Sequence, residues 1–213
     1  MPAAGKGGRY HHGDLRAALV EVAIELISEG GVRGFSMAEA SRRLGVAVSA
    51  PYAHFTDRDD LLAAVAVRAC DVFYREILQE INQSPGPAAR LASIARCYVR
   101  FAGYNRPLFE VLFAAGIDKR DHPEVEAAER PLNDTLLDCV RALSGGEQSS
   151  SDNLATAVEA TAHGHAMLLL DGDFGDGDSA VEHAAERAAA ATLALIEGRQ
   201  LLSRRTAPKG AHP

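Results

Sequence analysis

Apolar residues recur at helical spacing along almost the whole chain, and this period limits the possible folds more than any other feature. The first stripe, with members three and four residues apart, consists of Leu15, Leu19, Val22, Ala23, Leu26 and Ile27. The opposite face carries Glu21, Glu25 and Glu29. No segment alternates apolar and polar residues as a half-buried strand does, and no internal repeat is present. The sequence therefore predicts an all-α protein of about nine helices.

Capping and helix-breaking residues predict where the first helices begin and end. The predicted elements are a helix from Asp14 to Gly30-Gly31, a short helix over residues 37–44, a second short helix over 48–55 and a long helix from Asp57 to Ser84. Ser36 is the expected N-cap of the first short helix, with Glu39 completing a capping box and Gly45 ending the helix. Five further helices are predicted around residues 91–101, 105–115, 132–143, 152–171 and 178–198, with Asp178 capping the last.

Charge is unevenly distributed along the chain. It carries 22 Lys and Arg against 29 Asp and Glu, a net charge of −7. Residues 1–58 hold seven basic and six acidic side chains, whereas residues 59–213 hold 15 and 23. Because DNA needs only one positive face, the acidic total does not exclude a nucleic-acid partner.

The cysteine pattern and the absence of long apolar runs predict where in the cell the protein lies. Cys70, Cys97 and Cys139 are odd in number and far apart, which predicts neither a disulfide framework nor a zinc module. The N-terminal residues lack the apolar core of a signal peptide. No apolar run reaches the ~18 residues that a membrane span needs. We therefore expect a cytoplasmic protein with no membrane contact.

The segment from Ser36 to Phe55, SMAEASRRLGVAVSAPYAHF, has the pattern of two short helices that cross tightly. Such a crossing needs a residue that tolerates positive φ, which Gly45 is, and a slim preceding helix, which Ala40 and Ser41 provide. Three apolar residues are expected to anchor the pair on the first helix: Leu44, Val46 and Phe55. The second short helix is then free to enter a DNA major groove.

This segment resembles the DNA-binding domain of the TetR family. That family has Gly-Val, then Tyr-x-His-Phe, then an acidic cap before Leu-Leu; here these are Gly45-Val46, Tyr52-Ala53-His54-Phe55 and Asp57-Arg58-Asp59-Asp60-Leu61-Leu62. The match covers about residues 13–65. It implies a bacterial, nucleoid-associated regulator that binds a palindromic or pseudo-palindromic double-stranded operator as a homodimer, with repression as the family default.

The resemblance also assigns DNA contacts. Tyr52 and His54 are expected to donate to phosphate oxygens, and Arg58 takes the place of the family's usual Lys. The full set of expected DNA-binding residues is Arg9, Ser36, Arg42, Arg43, Val48, Ser49, Ala50, Tyr52, His54 and Arg58. Two alternatives remain open, namely that the arginine pair is a solvated face and that Tyr52 is a packed aromatic. Lys6 and Arg9, on the N-terminal arm, are expected to reach an adjacent groove.

Two features depart from the family pattern. Ala47 stands where Ser or Thr usually caps the recognition helix, which leaves Ser49 as the alternative cap and Pro51 within the first turn. The exposed positions offer no Arg, Lys, Asn or Gln for bidentate base contacts; they are Val48, Ser49, Ala50 and Ala53. We therefore expect specificity to depend on thymine methyl contacts, DNA shape, the arm or dimer spacing.

The C-terminal half resembles a TetR subgroup named for a Trp-His-Gly motif. The resemblance rests on residues 97–113 and 162–168, with His163-Gly164 in place and Glu159 where the Trp stands. Aromatic residues cluster there, and an aromatic-lined cavity would suit a small apolar effector, although an ordinary core is an equal alternative. The expected pocket residues are Cys97, Phe101, Tyr104, Phe109, Phe113, His163 and Met167. For His163 alone, a hydrogen-bonded interior position is the favoured interpretation.

The last two long helices are expected to form the dimer interface, because small residues let helices approach closely. The expected interface residues are Leu154, Val158, Ala184, Ala188, Thr192 and Leu195. A ligand-dependent shift in this region would change the spacing of the two DNA readers. The predicted division of the chain is a flexible arm (1–12), a helix-turn-helix domain (13–58), a helical ligand-binding and dimerisation domain (59–198) and a flexible tail (199–213).

No catalytic, cofactor or metal site is predicted. The loop from Asp171 to Glu182 departs from a calcium loop at Gly175 and Asp176. His163 and His165 would point about 200° apart on a helix. The alternative functions are a helical ligand-binding or adaptor protein with a weakened DNA reader and, less favoured, a small all-helical hydrolase.

Overall fold

The computed structural model describes residues 12–145 and 148–202. These residues form nine α-helices and one 3-10 turn, and none of them belongs to a strand, so the all-α prediction is confirmed. The α-helices are α1 (His12–Gly34), α2 (Met37–Leu44), α3 (Arg58–Ile81), α4 (Gly86–Tyr104), α5 (Arg106–Ala114), α6 (Pro123–Ser144), α7 (Gln148–Leu170), α8 (Asp178–Glu197) and α9 (Arg199–Leu202). The 3-10 turn is Ala50–Ala53.

Contacts divide the chain into two compact units. Unit 1 combines Met1–Ala69 with Pro107–Glu126, and unit 2 combines Cys70–Arg106 with Ala127–Pro213. The predicted functional division at residue 58 remains a prediction, because a contact boundary and a functional boundary are different properties. Within the described residues, no helix combines the length and apolar character needed to cross a bilayer.

In unit 1, α2 and the 3-10 turn pack against α1. The buried stripe of α1 is the predicted one, with Leu19 and Ala23 fully buried and Ile27 2% exposed. The helix begins at His12, two residues before the predicted start. Its regular geometry breaks at Gly31, where φ is 68°, and helical residues then continue to Gly34.

The predicted capping box at α2 does not form. Ser36 has the extended geometry of an N-cap, but its side chain makes no capping hydrogen bond. The Glu39 carboxylate binds Arg42 instead, because a guanidinium one turn later offers two charged donors. The predicted C-terminal end of α2 is confirmed, since Gly45 adopts left-handed geometry with φ 66°.

The two aspartate caps have different outcomes. Asp57 caps α3 as predicted, with its Oδ1 accepting from the N–H of Asp60 at 2.9 Å. Asp178 is the first residue of α8 rather than its cap, which is Gly177 with φ 78°.

The second short helix, predicted over residues 48–55, is present only as a four-residue 3-10 element, so its predicted length was wrong. The structure has a 3-10 turn there, with Ala50 N donating to Ala47 O at 2.8 Å and Tyr52 N donating to Ser49 O at 3.2 Å. Pro51 explains the difference, because it has no N–H to donate and disfavours helical geometry in the residue before it. The alternative cap, Ser49, precedes the turn but makes no side-chain capping hydrogen bond.

In unit 2, α4, α7 and α8 pack against one another. Gly103 permits the close approach, because a Cβ there would lie 2.7 Å from a methyl carbon of Val181 and 3.2 Å from one of Leu169. A further buried cluster joins α4, α6, α7 and α8 through Leu91, Leu136, Val140, Leu154, Val158 and Ile196. Helix α7 starts at Gln148, four residues before the predicted start, so the break before it is shorter than predicted.

Candidate nucleic-acid interface and effector cleft

Backbone hydrogen bonds and one buried serine fix the end of α2. The N–H of Gly45 donates to Arg42 O at 3.2 Å, and the N–H of Val46 donates to Ser41 O at 3.0 Å. Ser41 is fully buried, and its hydroxyl donates to Met37 O at 3.0 Å. A small residue with an internally satisfied hydroxyl therefore lies where α2 meets α1, as the sequence predicted.

The turn after α2 is buried on one side and exposed on the other. Pro51 is buried, Phe55 is 1% exposed, and the guanidinium of Arg16 lies 5.0 Å from the centre of the Phe55 ring. On the other side Val48 is 60% exposed and Tyr52 is 55% exposed, so Tyr52 is not a packed core aromatic. Among the other predicted contacts near the turn, the exposed ones are Ser36 and Ser49, and the half-buried ones are Ala50 and His54.

Both predicted arginine contacts on α2 are paired with carboxylates. Arg42 donates from Nε to Glu39 at 2.8 Å and from Nη2 to the second Glu39 oxygen. Arg43 donates two hydrogen bonds of 2.7 Å each to Glu29 of α1. These bonds lower the pKa of Glu39 and of Glu29, so both carboxylates are ionised at neutral pH. A phosphate must therefore compete with a carboxylate for either guanidinium.

Arg58 is engaged by the end of α1. Its Nη2 donates to Val32 O at 2.6 Å and its Nε to Phe35 O at 3.4 Å, while Nη1 contacts Asp59 at 3.1 Å. The guanidinium also lies 5.9 Å from the centre of the Phe35 ring. A cation at this position complements the carbonyl end of α1, where Val32 O also accepts from the N–H of Phe35 at 3.3 Å. The predicted phosphate contact of Arg58 remains a prediction.

Four further basic residues lie in the first helix or before it in sequence. Arg9 and Lys6 fall outside the described residues. Arg16 and Arg33, both on α1 and both exposed, were not selected from the sequence. The sequence signal for both is that each is a basic residue outside the apolar stripe of α1, the helix before the motif.

The structure distributes the predicted pocket residues between the two units. Phe109 and Phe113 belong to unit 1, where their ring centres are 4.7 Å apart. The unit 2 members are Cys97, Phe101, Tyr104, His163 and Met167. Of these, Phe101 is buried and stacks on Phe73 at 4.8 Å, whereas Met167 is 40% exposed.

His163 is a hydrogen-bonded interior histidine, as the favoured interpretation predicted. The hydroxyl of Tyr98 lies 2.8 Å from its Nδ1. Tyr98 also makes an edge contact with Phe73, with ring centres 5.7 Å apart. Burial raises the pKa of Tyr98, so its hydroxyl stays protonated at neutral pH and can donate to the imidazole.

A cleft of about 310 Å³ in unit 2 is lined by Cys97 and Tyr104 together with residues that sequence reasoning missed. Its charged and amide lining residues are Glu76, Gln79, Glu80, Gln83, Arg100 and Asn105. The volume is at the lower end of the range for small-molecule sites. The lining comes from α3, α4 and the residues that directly follow each helix, and only the folded structure brings these polar residues together.

One carboxylate in this cleft is poorly compensated. Arg100 donates to Glu80 at 2.8 Å and to Glu182 at 2.6 Å, so Glu80 already has a cationic partner. Glu76 accepts from the Asn105 amide at 3.4 Å, and burial raises the pKa of Glu76. Burial also raises the pKa of Cys97 to about 12, so this thiol stays neutral. The cleft therefore favours a ligand that brings a cation or hydrogen-bond donors to Glu76.

Five of the six predicted dimer residues lie inside the chain. Leu154, Val158, Ala184, Ala188 and Thr192 are at most 1% exposed. They pack against this chain's own helices, and residues buried in this way cannot contact a partner. The prediction failed because both faces of α7 and α8 are rich in small and apolar residues, so periodicity did not reveal which face points inward.

The opposite faces of α7 and α8 form an open groove of about 570 Å³. Its lining residues are Ala160, Thr161, Gly164, His165, Leu168, Ala191, Ala194 and Leu195. Leu168 is 44% exposed, and nearby on α8 Leu193 is 41% exposed. The sixth predicted dimer residue, Leu195, belongs to this groove.

Comparisons with known proteins match both halves of the chain to one family. Residues 19–65 match the family profile described as bacterial regulatory proteins, tetR family. Residues 91–192 match the profile described as tetracyclin repressor-like, C-terminal domain. The resemblance to the Trp-His-Gly subgroup is not confirmed by these profiles and remains a prediction.

Similar proteins with names are also regulators. The chain is 29% identical over 102 residues to the HTH-type transcriptional regulator YobS of Bacillus subtilis, covering 48% of this chain and 53% of YobS. It is 26% identical over 188 residues to the HTH-type transcriptional activator FasR of Mycolicibacterium smegmatis, covering 85% of each. The match thus spans about half the length of YobS and most of FasR.

Solved structures share the fold. A protein of unknown function from Rhodococcus sp. RHA1 superposes with a TM-score of 0.70 at 26% identity, covering 88% of this chain and 97% of that one. AibR in complex with isovaleryl coenzyme A and operator DNA superposes with a TM-score of 0.63 at 19% identity, covering 83% of this chain and 97% of AibR.

Proposed function

The chain belongs to the TetR family of bacterial regulatory proteins, and we propose from this how its surfaces are used. It is a DNA-binding transcriptional regulator, as are its named relatives. We propose that two copies bind a palindromic or pseudo-palindromic operator on the bacterial nucleoid. A small molecule bound by the C-terminal helices then changes operator affinity, and repression is the expected direction.

The exposed face of the turn at Val48 and Tyr52 carries this proposal. The turn is anchored by buried Pro51 and Phe55, so its outer side chains are presented on a fixed base. The Tyr52 hydroxyl would donate to a phosphate and fix the register. The apolar side chain of Val48 would contact thymine methyl groups, and Ser49 would supply one hydrogen bond. Specificity then depends mainly on DNA shape and on half-site spacing.

Fluorescence anisotropy tests DNA binding, with the gene's own upstream intergenic DNA titrated over a range of salt. We expect saturable binding that exceeds random DNA and weakens steeply as salt rises. Tyr52→Phe should weaken binding about 2- to 10-fold, the loss of one hydrogen bond. Tyr74→Phe is the matched control, because it removes the same hydroxyl from a tyrosine of unit 2. If Tyr52→Phe and the wild type bound DNA with equal affinity, the Tyr52 hydroxyl would not be a DNA contact.

We propose that the groove on α7 and α8 is the homodimer interface. Leu168 and Leu195 would supply the apolar contacts, while Gly164 and Ala194 would let the helices approach closely. A two-fold pair of readers is needed because one short turn contacts too few bases.

Sedimentation velocity tests this interface. Leu168→Glu should shift the protein toward monomer, because it places two like charges against each other across the two-fold axis. Leu201→Glu is the control, since Leu201 is 65% exposed on α9, outside the groove. A dimer equally stable in both variants would place the interface elsewhere.

The polar cleft around Glu76 favours a particular class of effector. Sequence reasoning favoured a small apolar ligand, and AibR binds an acyl coenzyme A. In this chain the described cleft instead offers Glu76 and several amides, which suit a small molecule with an amine or amide group. We propose this polar class first and keep the apolar effector as the alternative.

The competing function is a helical ligand-binding or adaptor protein with a weakened DNA reader. The single 3-10 turn and the paired arginines on α2 are the features that favour it. The anisotropy titration separates the two, because an adaptor would show no preference over random DNA even at low salt. We propose no enzymatic activity, since the named relatives are regulators.

A further inference from the structure

Asp60, His122 and Glu124 bring three metal-binding side chains together in unit 1. One histidine nitrogen and two carboxylate oxygens lie within 4.8 Å of one another. Asp60 comes from the first turn of α3, His122 directly precedes α6, and Glu124 lies in the first turn of α6. Because these segments are distant in sequence, folding alone creates the cluster.

The distances suit a small cation with short bonds. His122 Nδ1 lies 3.4 Å from a Glu124 carboxylate oxygen, and the His122 side chain is 16% exposed. In a tetrahedral site with bonds of about 2.0–2.2 Å, neighbouring ligand atoms are about 3.4 Å apart. This pair therefore already has the separation of two ligands, and a modest shift of Asp60 completes a three-ligand set.

Asp60 is held in place by its neighbours. Its Oδ2 accepts from the N–H of Thr56 at 2.8 Å, and its own N–H donates to Asp57 at 2.9 Å. Hydrogen bonds to a ligating carboxylate are a usual part of metal sites, because they orient the ligand. A carboxylate held in this way still has lone pairs to offer a metal.

We propose that Asp60, His122 and Glu124 form a divalent transition-metal site, with Zn²⁺ as the best-fitting ion. One imidazole with two carboxylates matches the nitrogen and oxygen ligands of Zn²⁺, and water would complete the tetrahedron. Ca²⁺ and Mg²⁺ fit less well, because they take oxygen ligands in larger number. The inference stands on unit 1 geometry and is independent of the proposed operator binding.

Titration of the metal-free full-length protein with Co²⁺ tests the site, because tetrahedral Co²⁺ absorbs strongly in the visible range and can replace Zn²⁺. We expect one tightly bound Co²⁺ per chain, displaced by Zn²⁺. His122→Gln and Glu124→Gln should each weaken binding at least tenfold and change the spectrum. A wild-type chain without saturable binding, or variants with unchanged affinity and spectrum, would overturn the proposal.

Competing histidines need a control. His11 and His12 are adjacent and could bind Co²⁺ together, so His11→Ala/His12→Ala is the matched variant and should keep the tight site. Loss of binding in that variant, with retention in His122→Gln, would assign the metal to the N-terminus and refute the site. Glu126→Gln, an exposed neighbour on α6, controls for general loss of negative charge. Circular dichroism confirms that each variant is folded; if His122→Gln is not, Glu124→Gln still decides the result.

Discussion

Nη2 of Arg58 lies 2.6 Å from the carbonyl oxygen of Val32, so the first residue of α3 binds the end of α1. The same guanidinium donates to Phe35 O and lies over the Phe35 ring. Arginine here joins the first and third helices of the DNA-reading region. Its position in the family motif therefore has a structural use in addition to the phosphate contact expected from resemblance.

Arg58→Met should lower stability more than it lowers DNA affinity. Removing a charged donor from two carbonyls should cost about 1–2 kcal/mol of the free energy of unfolding, since such bonds are worth about 1.5–3 kcal/mol when well shielded. Chemical denaturation measures this loss, with Arg33→Met as an exposed control on α1. A variant with unchanged stability but much weaker DNA binding would show that phosphate contact is the main role of Arg58.

Ala47→Ser should stabilise the reader. Ala50 N already points toward residue 47, donating to its carbonyl at 2.8 Å, so a serine oxygen would lie near a backbone donor. A Ser cap in place of Ala is worth about 0.5–2 kcal/mol in helices, and we expect the lower end of that range at a 3-10 turn. Thermal unfolding measures the gain, and operator affinity should rise or stay equal. Ala53→Ser, at the end of the turn, should give no such gain.

Gly103→Ala should destabilise unit 2. Its Cβ would lie 2.7 and 2.9 Å from the two methyl carbons of Val181, and overpacking of this kind costs about 1–3 kcal/mol. In the double variant with Val181→Ala the two changes should cost less than the sum of the single effects, because the clash disappears. Gly30→Ala is the control: no atom lies within 4 Å of its added Cβ, and helical Ala should stabilise by about 0.5–1 kcal/mol. Denaturation midpoints of the wild type, the Gly103→Ala, Val181→Ala and Gly30→Ala variants and the double variant measure these differences.

Acid should remove the contribution of Glu182. Hydrogen bonding to Arg100 lowers the pKa of Glu182 from its ordinary value of 4.5. A carboxyl with a lowered folded-state pKa stabilises above its unfolded-state pKa, and that stability is lost as the pH falls through the folded-state value. The Glu182 side chain is 45% exposed, so we expect no more than about 1 kcal/mol. The stability difference between wild type and Glu182→Gln should be full at pH 7 and shrink below about pH 4.5; a constant difference would contradict this account.

The cleft in unit 2 should prefer amines. Short primary diamines should raise the thermal midpoint, whereas diols of equal length should not, because only the diamine offers a cation to Glu76. Glu76→Gln should abolish the shift, and Gln83→Glu, which adds a carboxylate to the same lining, should increase it. A larger shift with short-chain fatty acids would favour the apolar effector.

The sequence by itself determined the fold class, the ends of several helices and the family. These are local properties: the apolar stripe of α1, the left-handed glycine at Gly45 and the cap at Asp57 depend on residues within one or two turns. The effect of Pro51 is local too: its missing N–H was expected to be harmless in the first turn of an α-helix, but the segment forms a 3-10 turn instead.

Tertiary structure decided which faces are buried and which charges meet. Both faces of α8 carry small apolar residues, so only packing against α4 and α7 shows that Ala184 and Ala188 lie inside while Leu193 lies outside. Arg43 is hydrogen-bonded to Glu29, and Asp60 lies in one cluster with His122. The members of each pair are too far apart in sequence for a helical period to predict their contact. Periodicity shows that a helix has an apolar side. It does not show which segments cover that side or which charges pair, because both depend on how distant segments pack together.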